Sequence, residues 1–367
     1  MRKFRKLFRR LPDPRADNAR HDLLEVLFIA LLATMCGAES CSDMAEFGRS
    51  KEGLLRLFMR LEHGVPSHDT FSRVFRLLKP QAFELAFRRF MAAFAKANGL
   101  NLSGVVAVDG KALRGAYERG GQATPLQMVN VFAVDARMAL AQQKAAGRNE
   151  TAGALEVLEL LCLEGCIVTA DALHCHRAFA KAVRERGGDY VLAIKGNRGR
   201  LFAAATQQFV RSGKRSTAAQ INRSTHDRSE TRTATVMRNT TLAGLYRFPG
   251  VVAVGRITSR RKLRGRHADP PVARYYLLSK YISPTRLLHV ARSHWAIENQ
   301  LHWVLDVHFA EDGNRARKDN APENLAIMRR LALNILRAHP DSASLRRKIK
   351  RAGWDNAFLM AAISHMR

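Results

Sequence analysis

Val105-Val106-Ala107-Val108-Asp109-Gly110-Lys111 is the stretch on which the reading of this chain turns. Its four apolar, mostly β-branched residues predict a buried strand, with Asp109 at the strand end and a turn at Gly110. Ile167-Val168-Thr169-Ala170-Asp171 repeats the arrangement, an apolar strand that ends in an aspartate and leads into a helix. Ligands of α/β sheets sit at strand ends, so two neighbouring strands ending in Asp can converge on a hard cation such as Mg²⁺. Taken singly, either residue is equally a turn or N-cap aspartate.

Outward from these two strands the pattern predicts a mixed α/β sheet. Gln127–Val134 and Met138–Lys144 read as a hairpin turned by Asp135-Ala136-Arg137, and Thr151–Leu163 reads as a helix. After Asp171 come a helix over Arg177–Arg186, closed by Gly187-Gly188, and a strand over Tyr190–Ile194. From Lys195 to Arg286 there are 20 Lys+Arg against 3 Asp+Glu. Three β-rich stretches in that segment, Thr231–Met237, Val251–Ser259 and Ala273–Tyr281, predict an all-β insertion with a basic face.

The chain then returns to helix. His294-Trp295-Ala296-Ile297-Glu298-Asn299-Gln300-Leu301-His302-Trp303-Val304-Leu305-Asp306 puts Ile297, Leu301, Val304 and His308 on one stripe, with Glu298 and His302 at its edge. Two more helices follow, about Pro322–Ala338 and Leu345 onward, with Leu325, Met328, Leu331 and Ile335 facing inward. Ahead of everything lies a helical segment: Asp22–Cys36 stopped by Gly37, a helix beginning near Ser42, and another capped by Ser67. The expected organisation is a small helical domain (1–100), the first part of a catalytic core (101–198), a basic β-rich insertion (199–290) and a glutamate helix with C-terminal helices (291–367).

Composition narrows the partners. The 367 residues carry 61 Lys+Arg against 32 Asp+Glu, a net charge of +29, which favours a polyanion such as double-stranded DNA. Five cysteines, an odd number in a long chain, argue against a disulfide framework. Cys162, Cys166, His174, Cys175 and His176 match no standard zinc spacing and read as structural. The opening MRKFRKLFRR with the apolar Val26–Cys36 imitates a secretory signal, but acidic residues interrupt it and the run is too short to cross a bilayer. A cytoplasmic, nucleoid-associated protein without a membrane partner is expected.

Two strand-borne aspartates and a helix-borne glutamate in a strongly basic chain are the parts of a two-metal phosphoryl-transfer site, which needs oxygen ligands for Mg²⁺ or Mn²⁺. The chain resembles the DDE transposases of bacterial insertion sequences, in particular the H-repeat-associated group of Rhs elements. The resemblance is carried by DPR at 13–15 with His21, VPSHDTFSRVF at 65–75, AVDGKALRG at 107–115, TADALHCH at 169–176, GGDYVLAIKGNR at 187–198, HDRSETR at 226–232 and HWAIENQLHWVLDVHFAEDGNRAR at 294–317. It implies a ribonuclease H-like core with an inserted β region and a small helical domain in front. It also implies the triad Asp109, Asp171 and Glu298; a two-metal site of this kind calls for two ions, and joining two element ends calls for a homodimer. Where a related signature has Tyr, Arg and Lys around the glutamate, this chain has Ala291, His294 and Leu305.

The candidate DNA contacts are Lys111, Arg114, Lys195, Asn197, Arg198, Arg228, Arg232, Arg260, Arg261, Lys262, Arg264, His294 and His302, and the helix over Ser67–Leu78 is the candidate reader of element ends. His294, Glu298 and His302 at i, i+4 and i+8 offer zinc as a competing ligand set, against a packed or DNA-facing His302. Two other function classes share many of these features: a catalytically inactive DNA-binding remnant, and a non-transposing Mg²⁺-dependent nuclease.

Overall fold

The structure is a computed structural model that describes residues 2–17, 19–117, 124–211, 216–223, 228–239, 241–263 and 269–365. Six helices come first: α1 (Arg2–Phe8), α2 (Leu23–Met35), α3 (Cys41–Ser50), α4 (Glu52–Arg56), α5 (His68–Leu77) and α6 (Pro80–Ala97). Their starts follow from local chemistry. Asp22 accepts the Glu25 amide at the head of α2, Ser40 and Asp43 form a capping box on α3, and Ser67 accepts the Thr70 amide on α5. The basic opening is a packed helix, with Phe4 and Phe8 stacked 4.2 Å apart and buried against Phe28 and Phe90.

Next come β1 (Gly104–Tyr117), β2 (Pro125–Ala133), β3 (Met138–Lys144), α7 (Glu150–Glu159), β4 (Cys166–Ala170), α8 (Arg177–Glu185) and β5 (Asp189–Ile194). β1, β2 and β3 form an antiparallel meander, and β4 and β5 run parallel to β1 on its other side. The order β3-β2-β1-β4-β5, with antiparallel and parallel pairs, is the mixed α/β sheet expected. One expectation changes here. Gly110 is not a turn, because β1 continues pairing with β2 through Leu113.

The basic segment holds α9 (Gly199–Arg211), β6 (Ser216–Arg223), β7 (Arg228–Arg238), α10 (Thr241–Leu245), β8 (Ala253–Leu263) and β9 (Val272–Leu278). It is β-rich but not all-β, since α9 packs Leu201, Ala205 and Phe209 into the core, with Phe209 against Tyr275 of β9. Nor is it a separate sheet. β9 pairs antiparallel with β5, Val191 opposite Leu278, and extends the core into a nine-stranded sheet. α11 (Pro284–Ala296) crosses this extension, burying Leu287, Leu288 and Val290 against Val105, Val191 and Ala234. Gly255 allows the close approach, because a Cβ there would meet Leu287 at 2.5 Å.

After α11 come α12 (Trp303–Phe309), α13 (Ala321–Ala338), α14 (Leu345–Trp354) and α15 (Asn356–His365). α13 is buried along nearly its whole length and packs between the amino-terminal helices and the sheet. The side-chain amide of Asn324 donates to the carbonyls of Phe75 and Leu78, and that of Asn334 to Ala139. The amino-terminal helices therefore share one core with α13 and with Phe132 of β2 rather than burying their own. Among the described residues no helix is long and apolar enough to cross a membrane.

Candidate active site

Val108 of β1 lies opposite Ala170 of β4, so Asp109, within β1, and Asp171, just past the end of β4, follow at equivalent positions. Asp171 caps the turn that follows it, accepting the amides of Leu173 at 2.9 Å and His174 at 3.4 Å. Asp109 sits further inside, on a strand that continues past it.

Glu298 arrives from below α11. The expected continuous α-helix is interrupted by a π-helical turn over Ile297–His302, which adds a residue to the turn. Ile297 and Leu301 stay in the core while Glu298 and His302 reach toward β1. His302 Nδ1 is 3.6 Å from Glu298 Oε2 and 3.8 Å from Asp109 Oδ2. On the far side of the ring, Nε2 meets the side-chain amide of Asn130 at 3.4 Å. His294, one turn before Glu298, has Nδ1 3.3 Å from the Thr169 hydroxyl and lies within the fields of both Asp171 and Glu298.

The electrostatics are those of crowded carboxylates. Burial, then the charges of Glu298 and Glu150, push Asp109 up to about 8. The His302 ring beside it holds Glu298 well below the usual carboxylate range. Burial lowers the His294 imidazole, against the pull of Asp171 and Glu298. Donor atoms of Asp109, Glu298 and His302 lie within 4.8 Å of one another. A buried carboxylate that resists ionisation next to a second carboxylate suits a hard divalent cation, whose charge relieves the repulsion. Asp171 falls outside that close group, at the adjacent strand.

The candidate DNA contacts divide by burial. Lys111 is buried, its ammonium 2.7 Å from Asp306 and 3.1 Å from Asp312, and His302 is buried in the carboxylate cluster, so neither faces a duplex. Asn197 donates to the carbonyl of Ala172 and Arg198 to that of Cys175, which ties the Lys195-Gly196-Asn197-Arg198 loop to the turn carrying Asp171. Lys195, Arg260, Arg261 and Lys262 are exposed, and Arg114 is exposed beside Asp312. Arg232 and Arg261 share Glu230. Arg228 lies on β7, paired with Leu263, whereas Arg264 lies outside the described residues.

Several residues of this neighbourhood were missed in the sequence. Glu150 starts α7, joins His174 Nε2 at 3.0 Å and Gln127 at 3.0 Å, and packs on Gly110, where a Cβ would meet its carboxylate at 2.4 Å. Behind the site Arg330 is wholly buried, bonded to Glu311 at 2.8 Å and to Asn130 at 2.8 Å. The only local signal was polar residues inside apolar runs, Asn130 in β2 and Arg330 in α13. Arg177 and Arg200, with Arg198 and Tyr246, also line a cleft of about 420 Å³.

The family described as "Transposase DDE domain" matches residues 101–335, and the one described as "DDE_Tnp_1-associated" matches residues 5–91. YncI of Escherichia coli O157:H7, named as a transposase, is 30% identical over 358 residues, covering 95% of this chain and 91% of its own. YhhI of Escherichia coli K12, named as an H repeat-associated transposase, is 29% identical over 364 residues, 96% of each chain. Among solved structures, the piggyBac transposase synaptic complex with hairpin DNA covers 100% of this chain and 77% of its own, at 13% identity and a TM-score of 0.45.

Proposed function

This chain belongs to the transposase DDE domain family, and on that premise we propose that it binds the ends of a mobile element and catalyses DNA strand cleavage and strand transfer with Asp109, Asp171 and Glu298 as its acidic triad. The observation that carries the proposal is the meeting of Glu298, from the π-helical turn, with Asp109 of β1 around the His302 ring.

The three carboxylates would hold Mg²⁺ or Mn²⁺, as a pair of ions. Bound there, the cations would supply Lewis acidity for phosphodiester cleavage and transfer. The chain's own part is placement. β1 and the end of β4 set the spacing of two carboxylates, the π-helical turn after α11 delivers the third, and the Asn197 and Arg198 contacts restrain the turn behind Asp171. Exposed Lys195, Arg260, Arg261 and Lys262 would hold the duplex through its phosphates. Joining two ends calls for two such sites, so a homodimer in the synaptic complex is part of the proposal.

Glu298→Gln tests it, since the change keeps volume while removing one anionic donor. Mg²⁺- or Mn²⁺-dependent nicking of an end-bearing duplex is expected to fall by about 10²-fold or more, with duplex binding in EDTA retained. Nicking at the wild-type rate would show that Glu298 is not in the reacting centre.

A further inference from the structure

A donor-only side chain at the back of the active site fixes every hydrogen in front of it. Arg330 is 0% exposed. Its guanidinium can only donate, and it bonds the Glu311 carboxylate, the Ala326 carbonyl and Asn130 Oδ1. The Arg330 Nε contact of 2.8 Å therefore identifies the atom it meets on Asn130 as the oxygen, and the amide nitrogen must point the other way. That nitrogen, again a donor only, lies 3.4 Å from His302 Nε2. For the contact to be a hydrogen bond Nε2 must be bare, and a neutral imidazole then carries its hydrogen on Nδ1. Nδ1 is the atom that faces Glu298 at 3.6 Å and Asp109 at 3.8 Å.

We propose that Arg330, acting through Asn130, locks His302 in the Nδ1–H tautomer, so that His302 is a positioning residue that donates toward the Glu298 and Asp109 carboxylates and is not a metal ligand. The inference rests on the reading of those two carboxylates as the cation-binding pair. It assigns a task to a buried polar chain, Glu311–Arg330–Asn130–His302, that the triad alone leaves without one. Geometry separates the two roles. A nitrogen that carries hydrogen has no lone pair for a cation, and the bare nitrogen is turned away toward Asn130. The cation is left with an all-oxygen donor set, the kind that Mg²⁺ prefers and zinc does not. The chain also accounts for a buried arginine between strand and helix, since a neutral residue there would leave the Asn130 amide free to flip.

Two measurements test this on the full-length protein. Imidazole ¹⁵N NMR of wild type should show Nδ1 of His302 bearing hydrogen and Nε2 bare; the reverse assignment overturns the proposal without any variant. Pulsed EPR of Mn²⁺ added to wild type should show no directly bound imidazole nitrogen. Asn130→Asp keeps an oxygen for Arg330 but removes the donor to Nε2, so the Nδ1 lone pair becomes available and a nitrogen coupling should appear. A coupling in wild type that His302→Gln abolishes would make His302 a ligand and overturn the inference. Absence of coupling in Asn130→Asp, with the fold intact by melting, would remove Asn130 as the controlling element. Failure of the underlying reading is distinguishable: Asp109→Asn would then bind Mn²⁺ as tightly as wild type.

Discussion

Replacing Asp109 by Asn removes a charge from the cluster while nearly keeping its volume, and the structure sets both the sign and the size of the effect. Burial and the carboxylates of Glu298 and Glu150 push Asp109 up to about 8, against about 4 in an unfolded chain. The folded state thus holds its proton more tightly, so stability falls as pH rises from about 4 to about 8 and the loss is complete above that window. Each pH unit of the gap is worth about 1.4 kcal/mol, which gives a ceiling of roughly 6 kcal/mol. Glu298 is half exposed, and solvent screening of its charge brings the expected loss to about 1–3 kcal/mol. Guanidinium melts in EDTA should therefore find Asp109→Asn more stable than wild type by that amount near pH 8.5, with the gain shrinking toward pH 4. Added Mn²⁺ should reverse the order, because the cation stabilises only the protein that binds it. A variant less stable than wild type near pH 8.5, or a gain independent of pH, would refute the claim that Asp109 is held ionised at a cost.

Arg330→Met should destabilise the fold by about 3–5 kcal/mol in urea melts, since it leaves the buried Glu311 carboxylate unpaired. The double variant Arg330→Met/Glu311→Leu should recover much of that stability, and a double variant no better than the single one would mean the pair is not energetically coupled. Neutralising Arg260, Arg261 and Lys262 at the exposed end of β8 should flatten the salt dependence of duplex binding by about 0.9 in log–log slope for each phosphate that these side chains neutralise in the wild type. An unchanged slope in filter binding would place the duplex elsewhere.

Side-chain periodicity and capping are encoded within a few residues, and so much of this fold was readable from the chain alone. Val105–Val108 and Ile167–Ala170 are strand residues in parallel register, all buried except the half-buried Ile167, and Asp22 and Ser67 cap the helices they precede. The mixed sheet, the helical segment in front, the β-rich basic segment and the family all followed from residues adjacent in sequence. Asp171 and Glu298 could be picked out as candidates because a strand end and a helix stripe are local patterns, whereas Asp109, expected at a strand end, stands inside β1, which runs on to Tyr117.

Tertiary structure alone decided what depends on contacts between distant segments. Gly110 looks like a turn in isolation, yet pairing with β2 carries β1 through it, and its missing Cβ serves Glu150, which comes from α7. Lys111 reads as a phosphate contact until Asp306 and Asp312 come round from α12 and the loop after it to bury its charge. The basic segment reads as a separate insertion, but hydrogen bonds between β9 and β5, which no local pattern specifies, make it part of the central sheet. The π-helical turn has the apolar spacing of an ordinary helix, and only packing of α11 on one side and α12 on the other shows where the extra residue goes. The hydrogen on His302 is the most distant consequence of all: it depends on a guanidinium in α13 and an amide in β2, and no stretch of sequence contains all three.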